Sequence, residues 1–449
     1  MTVAGTRVGD LRPGVRYFEP ALETAEREVI RSHQWQRLVG LLRELWSANP
    51  FYRRKWLAAG LRGAQDIRDW EDFFRLPLTT KQELVDDQRA HPPYGTNLTY
   101  PPDAYVRLHQ TSGTTGLPLR WLDTAHSWDW WARLWSYVYT GAGVGAGDRV
   151  FLAFSFGPFI GFWAAFAAAR RLGLLAIPAG GMESLARLQA IQKLQPTVLV
   201  CTPSYALHLA EVAAQAGIDL ASSSVRVSIH AGEPGAAIEA TRRRIEQAWG
   251  AKAYDHTGAT EVGATGFECV AQQGTHLIET EFVFEVIDPA TGHPAAEGEA
   301  GELVVTNLGR PGMPVVRYRT GDLVRLNLQP CECGRTLARM MGGIIGRADD
   351  MITVRGVNVF PSAIENVVRE FREIVEFQIE TYRRGAMDEV RIKIELAPDL
   401  PLQVQEQVAK RLSADLRTRL SLRVEVVCVP AGGLPRYAMK ARRLVRTPA

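Results

Sequence analysis

Four apolar residues stand together from Val198 to Cys201, and after Gly235 the string AAIEATRRRIEQAWG places its apolar positions three and four apart until Gly250. The first pattern reads as a buried strand and the second as an amphipathic helix stopped by glycine. VRVSIHAGEPG, just before that helix, has strand texture, as do Phe282 to Ile287 and Leu303 to Thr306, while a helical region leads the chain to about Leu61. Strands alternating with helices predict an α/β fold. Near Gly346 the texture shifts to a strand over MITVRGVNVF, a helix from about Pro361, a strand RIKIEL, a helix from Leu402 and a strand VEVVCV. This predicts a compact α+β unit of about a hundred residues. Two domains are therefore expected, a large one over residues 1–348 and a small one over 349–449.

One apolar run needs a membrane test. FLAFSFGPFIGFWAAFAAA, residues 151–169, is long and uncharged enough to span a bilayer. Gly157-Pro158 divides it into a short β-like run and a small-residue helix, so the reading is a buried strand, loop and helix of an α/β core. The near balance of 52 basic and 49 acidic residues, net +3, gives no electrostatic case for nucleic acid. The opening MTVAGTRVGDLRPG lacks an apolar signal core and the five cysteines are unevenly spread, which points to a reducing cytoplasm.

HQTSGTTGLP, from His109 to Pro118, carries the first chemistry. Gly113 and Gly116 let backbone N–H groups turn toward an anion, and Thr111, Ser112, Thr114 and Thr115 add hydroxyl donors, a set suited to a polyphosphate. It is not a Walker A loop, since Leu117 and Pro118 stand where Lys-Ser or Lys-Thr would follow. Alone, the same string is an ordinary surface loop. A second cluster is metal-like: Cys331 and Cys333 supply two thiols, and Cys269 with His276 a thiol and an imidazole, together a tetrahedral Cys₃His set for structural Zn²⁺. The competing reading is four incidental buried residues, because CxC is a looser signature than paired CxxC. Cys201 and Cys428 lie in strand-like runs and read as core.

Downstream of the loop come DHTGATE (255–261), YRTGDLVRL (318–326), GRADDMITVRGVNVFP (346–361) and LPRYAMKARR (434–443). In this order and spacing they resemble the signature segments of the acyl-adenylate-forming superfamily of acyl-CoA synthetases, peptide-synthetase adenylation domains and firefly luciferase. NPFYRRKW near the start, LPLTTKQEL, AGEP and RGVNVFPSAIE resemble, within it, the phenylacetate-CoA ligase family over essentially the full length. The resemblance implies a large adenylate-forming domain holding ATP and acid, with a mobile C-terminal lid.

It also implies roles. Thr111, Ser112, Gly113, Thr114, Thr115 and Gly116 would hold the β- and γ-phosphates. Glu261, with Thr260 beside it, would help hold Mg²⁺, a hard cation suited to carboxylate oxygen. Gly232, Glu233 and Pro234 would line the adenine slot, Asp255 would join the nucleotide site, and Asp322 and Arg347 would face the ribose. Lys440 would bridge the attacking carboxylate and the α-phosphate; position alone favours a solvated basic tail. Asp349 would be the hinge of a lid rotation that brings Gly356 to the coenzyme A tunnel.

Phe154, Phe156 and Phe159 fall where the resemblance places the acyl-pocket wall, suiting a small aromatic carboxylic acid, though core packing explains them as well. His256 either lines that pocket or is a hydrogen-bonded structural histidine. Trp128, Trp130, Trp131 and Trp135 read as a helix packed in the core or at a dimer interface, with no catalytic role. Two positions depart from the family: Leu117 replaces the usual lysine, and Thr257 stands where an aromatic residue often stacks on adenine. The expectation is a cytoplasmic, homodimeric ligase that adenylates its acid with ATP and transfers it to coenzyme A. The alternatives are delivery to a carrier-protein thiol or an amine, and a non-catalytic nucleotide-binding or interaction protein.

Overall fold

The computed structural model describes residues 14–446 except 112–117, 159, 234, 349–351, 355–356, 385–386, 399, 421, 423 and 437–442. Helices α1 (Pro20–Glu23), α2 (Arg27–Ala48), α3 (Pro50–Ala58), α4 (Trp70–Phe74) and α5 (Lys81–Ala90) lead the chain. An antiparallel pair, β1 (Tyr105–Gln110) and β2 (Arg120–Thr124), then flanks the segment 111–119. The feet of that segment are tied: Thr111 N–H donates to Leu119 O at 3.0 Å, and Leu119 N–H to Thr111 Oγ1 at 3.1 Å.

The α/β region follows as α6 (Ala125–Gly141), β3 (Arg149–Leu152), α7 (Gly161–Arg171), β4 (Leu175–Pro178), α8 (Ser184–Leu194), β5 (Val198–Cys201), α9 (Pro203–Gln215), β6 (Val227–His230), α10 (Glu239–Trp249) and β7 (Lys252–Ala259). The expected strand at 198–201 is β5, and every one of its residues is buried. α10 begins at Glu239 rather than straight after Gly235, because Gly235 to Ile238 makes a turn, and it ends at Gly250 in the left-handed conformation. The run at 151–169 divides as expected into β3, a loop and α7; no helix among the described residues is long and apolar enough to cross a membrane.

Strands β4-β3-β5-β6-β7 are parallel neighbours. β4 and β5 lie on opposite sides of β3, and the crevice at such a switch point, beyond the carboxyl ends of the strands, is where open α/β sheets bind ligands. The sheet continues antiparallel through β8 (Gly263–Glu268), β9 (Thr275–Leu277), β13 (Arg339–Met340), β12 (Tyr318–Asn327), β11 (Ala300–Asn307) and β10 (Phe282–Ile287), with β14 (Gly346–Arg347) also on β12.

A second hydrophobic core is built from Ile352 onward. MITVRGVNVF is not one strand but two, β15 (Ile352–Val354) and β16 (Val357–Val359), paired antiparallel. Then come α11 (Pro361–Glu370), β17 (Ile374–Arg384), β18 (Met387–Leu396), α12 (Leu402–Leu420), β19 (Glu425–Val429) and β20 (Leu444–Arg446). β17 escaped the sequence reading, and RIKIEL is the end of the longer β18. This unit rests on α9 and α10. Arg244 donates to Ile374 O at 3.2 Å, Arg436 lies 3.6 Å from Glu211, and Arg443 donates to Ser204 Oγ at 3.0 Å.

Candidate active site

The carboxyl ends of the central strands carry the candidate residues. β6 ends at His230 and runs into Gly232 and Glu233; Gly232 has φ +96°, which glycine adopts without strain. The Glu233 carboxylate accepts from Ser204 N–H at 2.8 Å, so it caps α9, which starts where β5 ends. β7 carries Asp255, His256 and Thr257 and leads directly to Thr260 and Glu261.

Asp322 and Arg347 are cross-strand partners of β12 and β14, with Arg347 Nη1 donating to Asp322 Oδ1 at 2.9 Å. Gly321 makes this possible: its φ is +76°, and a Cβ there would stand 2.7 Å from Arg347 Nη2. One small cavity is lined by Thr257, Gly258, Thr320, Asp322, Met340 and Ile344, so Thr257 and Asp322 open onto the same space. The other position that departs from the family, Leu117, lies outside the described residues.

Glu261 is buried, and Lys81 at the start of α5 places Nζ 3.1 Å from its Oε1. The loop behind it is held by Arg310, whose Nη1 donates to the carbonyls of Thr260 and Glu261 at 2.9 and 3.2 Å. Arg310 Nε and Nη2 form a bidentate pair with Asp123 at 2.7 and 2.8 Å. Asp123 is on β2, and His109 on β1 lies 4.0 Å away with its Nδ1 buried. Burial, with Arg310 and Arg107 nearby, pulls His109 down to about 4, which keeps the ring neutral. The β1–β2 pair and the Glu261 loop are thus joined through one buried ion pair.

Asp255 is buried at the floor, and its N–H donates to Glu268 at 3.0 Å while Arg242 pairs with Glu268 at 2.6 Å. Desolvation raises Asp255 to about 6 despite Arg242. His256 Nδ1–H donates to Gly266 O at 2.7 Å, and burial lowers the ring to about 4. Its ring also lies 4.4 Å from Trp135, which lies 6.3 Å from Phe162, which lies 3.9 Å from Phe154. These four rings form one continuous aromatic wall. Phe156 turns instead to Trp163 and Phe166 on α7. Trp128, Trp130 and Trp131 are buried on α6 as core residues, but Trp135 joins the wall.

Cys269, His276, Cys331 and Cys333 converge, with their candidate ligand atoms all within 4.8 Å of one another. Leu337 O lies 3.2 Å from His276 Nδ1, and His276 Nε2 lies 3.6 Å from Cys333 Sγ. A proton on Nδ1 thus leaves the Nε2 lone pair for a metal, the usual orientation of a zinc-bound imidazole. Three thiols and one imidazole in tetrahedral reach suit Zn²⁺. Cys201 is core, and Cys428 is half-buried against the second core.

Ser112, Gly113, Thr114, Thr115, Gly116, Phe159, Pro234, Asp349, Gly356 and Lys440 lie outside the described residues. Sequence reasoning missed Lys81, Arg310, Asp123, Phe162 and Ser204. Lys81 had a readable signal, the capping box in which Thr80 and Glu83 exchange hydrogen bonds at the start of α5. Arg310 had none, since its partners are 187 residues or about fifty residues away.

Residues 68–309 match the family described as AMP-binding enzyme, and residues 356–447 match the AMP-binding enzyme C-terminal domain. The chain is 34% identical over 438 residues to a phenylacetate-coenzyme A ligase of Thermus thermophilus, spanning 93% of this chain and 96% of that one. A crystal structure of 2-hydroxyisobutyryl-CoA ligase in the postadenylation state with R3-HIB-AMP superposes with a TM-score of 0.91 at 32% identity, covering 97% of this chain and 94% of that one. In its thioesterification state, with 2-HIB-AMP and CoA, that ligase superposes with 0.72 at 32% identity, covering 97% and 93%. Coverage and identity hardly differ between the two comparisons, so the drop reflects domain placement. The two cores here are arranged as in the postadenylation state.

Proposed function

The chain belongs to the phenylacetate-CoA ligase family of AMP-binding enzymes, and we propose that it joins an aryl or arylacetic acid to coenzyme A through an acyl-adenylate. The observation that carries this reading is the cavity shared by Thr257 and Asp322, set one residue along β7 from the His256–Trp135–Phe162–Phe154 wall. The polar groups suit a nucleoside and the aromatic rings a flat acid.

In this reading Asp322, held by Arg347, accepts hydrogen bonds from the ribose hydroxyls, and the Gly232-Glu233 backbone borders the base. Ile344 and Met340 line the cavity with Thr257 and take over the apolar contact that an aromatic side chain would make. The Thr111–Gly116 hydroxyls and N–H groups bind the β- and γ-phosphates. Glu261 and Thr260 would hold Mg²⁺, which when bound offsets phosphate charge. Lys440, on the small domain, brings an ammonium between the attacking carboxylate and the α-phosphate, so positioning and charge do most of the catalysis. We assign the boundary to residues 348 and 349, the hinge to Asp349 and the coenzyme A side to Gly356. Cys269, His276, Cys331 and Cys333 would hold a structural Zn²⁺ that stabilises its loops and takes no part in the reaction. We place the enzyme in the cytoplasm as a homodimer, in line with its family resemblance.

The test is acid-dependent ATP–pyrophosphate exchange across aromatic and aliphatic acids, followed by addition of coenzyme A to the best acid. Exchange that falls at least roughly a hundredfold in Lys440→Ala, with AMP release and a new thioester, is the expected result. Folded protein silent across the panel, or exchange without thioester formation, overturns the acid or the acceptor respectively.

A further inference from the structure

Ser204, in the first turn of α9, is bonded on two sides at once. Its backbone N–H, a donor with no partner inside the helix, goes to Glu233 Oε1 at 2.8 Å, and its Oγ accepts from Arg443 Nη2 at 3.0 Å. Glu233 belongs to the loop after β6. Arg443 lies just beyond Lys440 in the chain and is rigid within the small domain: Nε and Nη2 reach Glu376 at 2.9 and 3.2 Å, and Nη1 reaches Glu365 at 3.3 Å. Seven residues along α9, and so on the same helical stripe, Glu211 lies 3.6 Å from Arg436, which Glu395 of the small domain holds at 2.6 Å. One face of α9 therefore receives two arginines that flank the Lys440 segment.

We propose that Ser204 is a positioning residue for adenylation: it seats the small domain through Arg443 while its N–H is held by the base-side loop, so nucleotide at that loop and the placement of Lys440 are coupled. This rests on the ligase reading above. Rotation of the small domain for the second half-reaction breaks the Ser204 and Glu211 contacts together, so the thioester-forming step does not use them.

Arg443→Ala would strand Glu376 and Glu365 inside the small domain, so the test acts on the other partner. Ser204→Ala is compared with Ser204→Thr in two assays: ATP–pyrophosphate exchange, and thioester formation from a chemically prepared acyl-adenylate plus coenzyme A. The expected result is a loss of about tenfold in exchange, the size of one charge-assisted hydrogen bond, with ATP KM raised, thioester formation within about twofold of wild type, and recovery in Ser204→Thr. Equal losses in both assays, no loss in exchange, or no recovery with threonine overturns the proposal. A substrate-free readout separates its failure from failure of the ligase reading. With spin labels at the exposed positions Gln215 and Lys410, Ser204→Ala broadens the interdomain distance distribution; an unchanged distribution overturns the seat whatever acid the enzyme takes.

Discussion

The Asp123–Arg310 pair and the Cys₃His cluster are both buried polar constructions in the large domain, but they close in opposite ways. Every nitrogen of the Arg310 guanidinium has an acceptor from the chain, and its charge is matched by Asp123. The cysteine cluster instead aims thiols and an imidazole at one point; its neighbouring cation, Arg335, touches Cys333 at 3.5 Å but is already paired with buried Glu23. The first construction is complete as chain, and the second is shaped for a guest that brings positive charge. Burial alone therefore does not reveal whether a polar cluster belongs to the fold or to a ligand; the direction of its donors and acceptors does.

The strongest way to break this contrast is Cys333→Ser. With zinc as the guest, protein purified without added metal contains an equivalent of zinc, the variant loses it, and thermal unfolding drops by ten degrees or more, since structural zinc contributes on the order of 10 kcal/mol. Metal-free wild type with unchanged stability would remove the distinction. Next is Arg310→Met, which strands Asp123 and frees the Thr260 and Glu261 carbonyls. A loss of about 3–5 kcal/mol is expected in denaturant unfolding, and pairing it with Asp123→Leu should recover part of that, because the charge left unpaired is removed. No recovery would mean that the pair is not a closed unit.

A smaller effect tests a buried polar group that belongs to neither cluster. His256 is lowered from 6.5 to about 4 by burial, so the unfolded chain takes up a proton that the folded chain refuses. Stability is then full above about 6.5 and falls progressively as pH drops toward about 4, by on the order of 3 kcal/mol. His256→Gln, which retains a donor for Gly266 O, should flatten that fall in unfolding curves at stepped pH. Smallest is Lys81→Met: Lys81 is half exposed, so the loss of its pair with Glu261 should change stability by less than about 1 kcal/mol, and ATP KM by a few-fold.

Much of this was readable along the chain because the determinants are local. Val198–Cys201 is a strand to the residue, and Gly250 stops α10 where expected, since apolar spacing and a left-handed glycine act within a few residues. The cysteines and His276 could be grouped by type, although only the fold brings together ligands as far apart in sequence as Cys269 and Cys331. The failures share a cause. MITVRGVNVF has continuous strand texture, but composition does not say where a strand doubles back onto itself. β17 mixes charges into IVEFQIETYRR, buried Glu376 among them, which weakened its apolar signal. Trp135 looked like its tryptophan neighbours, and its place in the wall depends on Phe162 and His256 from other elements.

The aromatic wall and the Asp322 and Glu261 carboxylates hang from separate supports: Phe154, Phe162 and Trp135 come from the β3–α7 segment and α6, whereas Asp322 and Glu261 are fixed by Arg347 and by the Arg310 loop. That separation matters for descent and for engineering. In the proposed reading, Phe154 and Phe162 can be redrawn to admit a new acid while the Asp322 and Glu261 supports are inherited intact, so a lineage of this architecture can change its diet without relearning how to activate it.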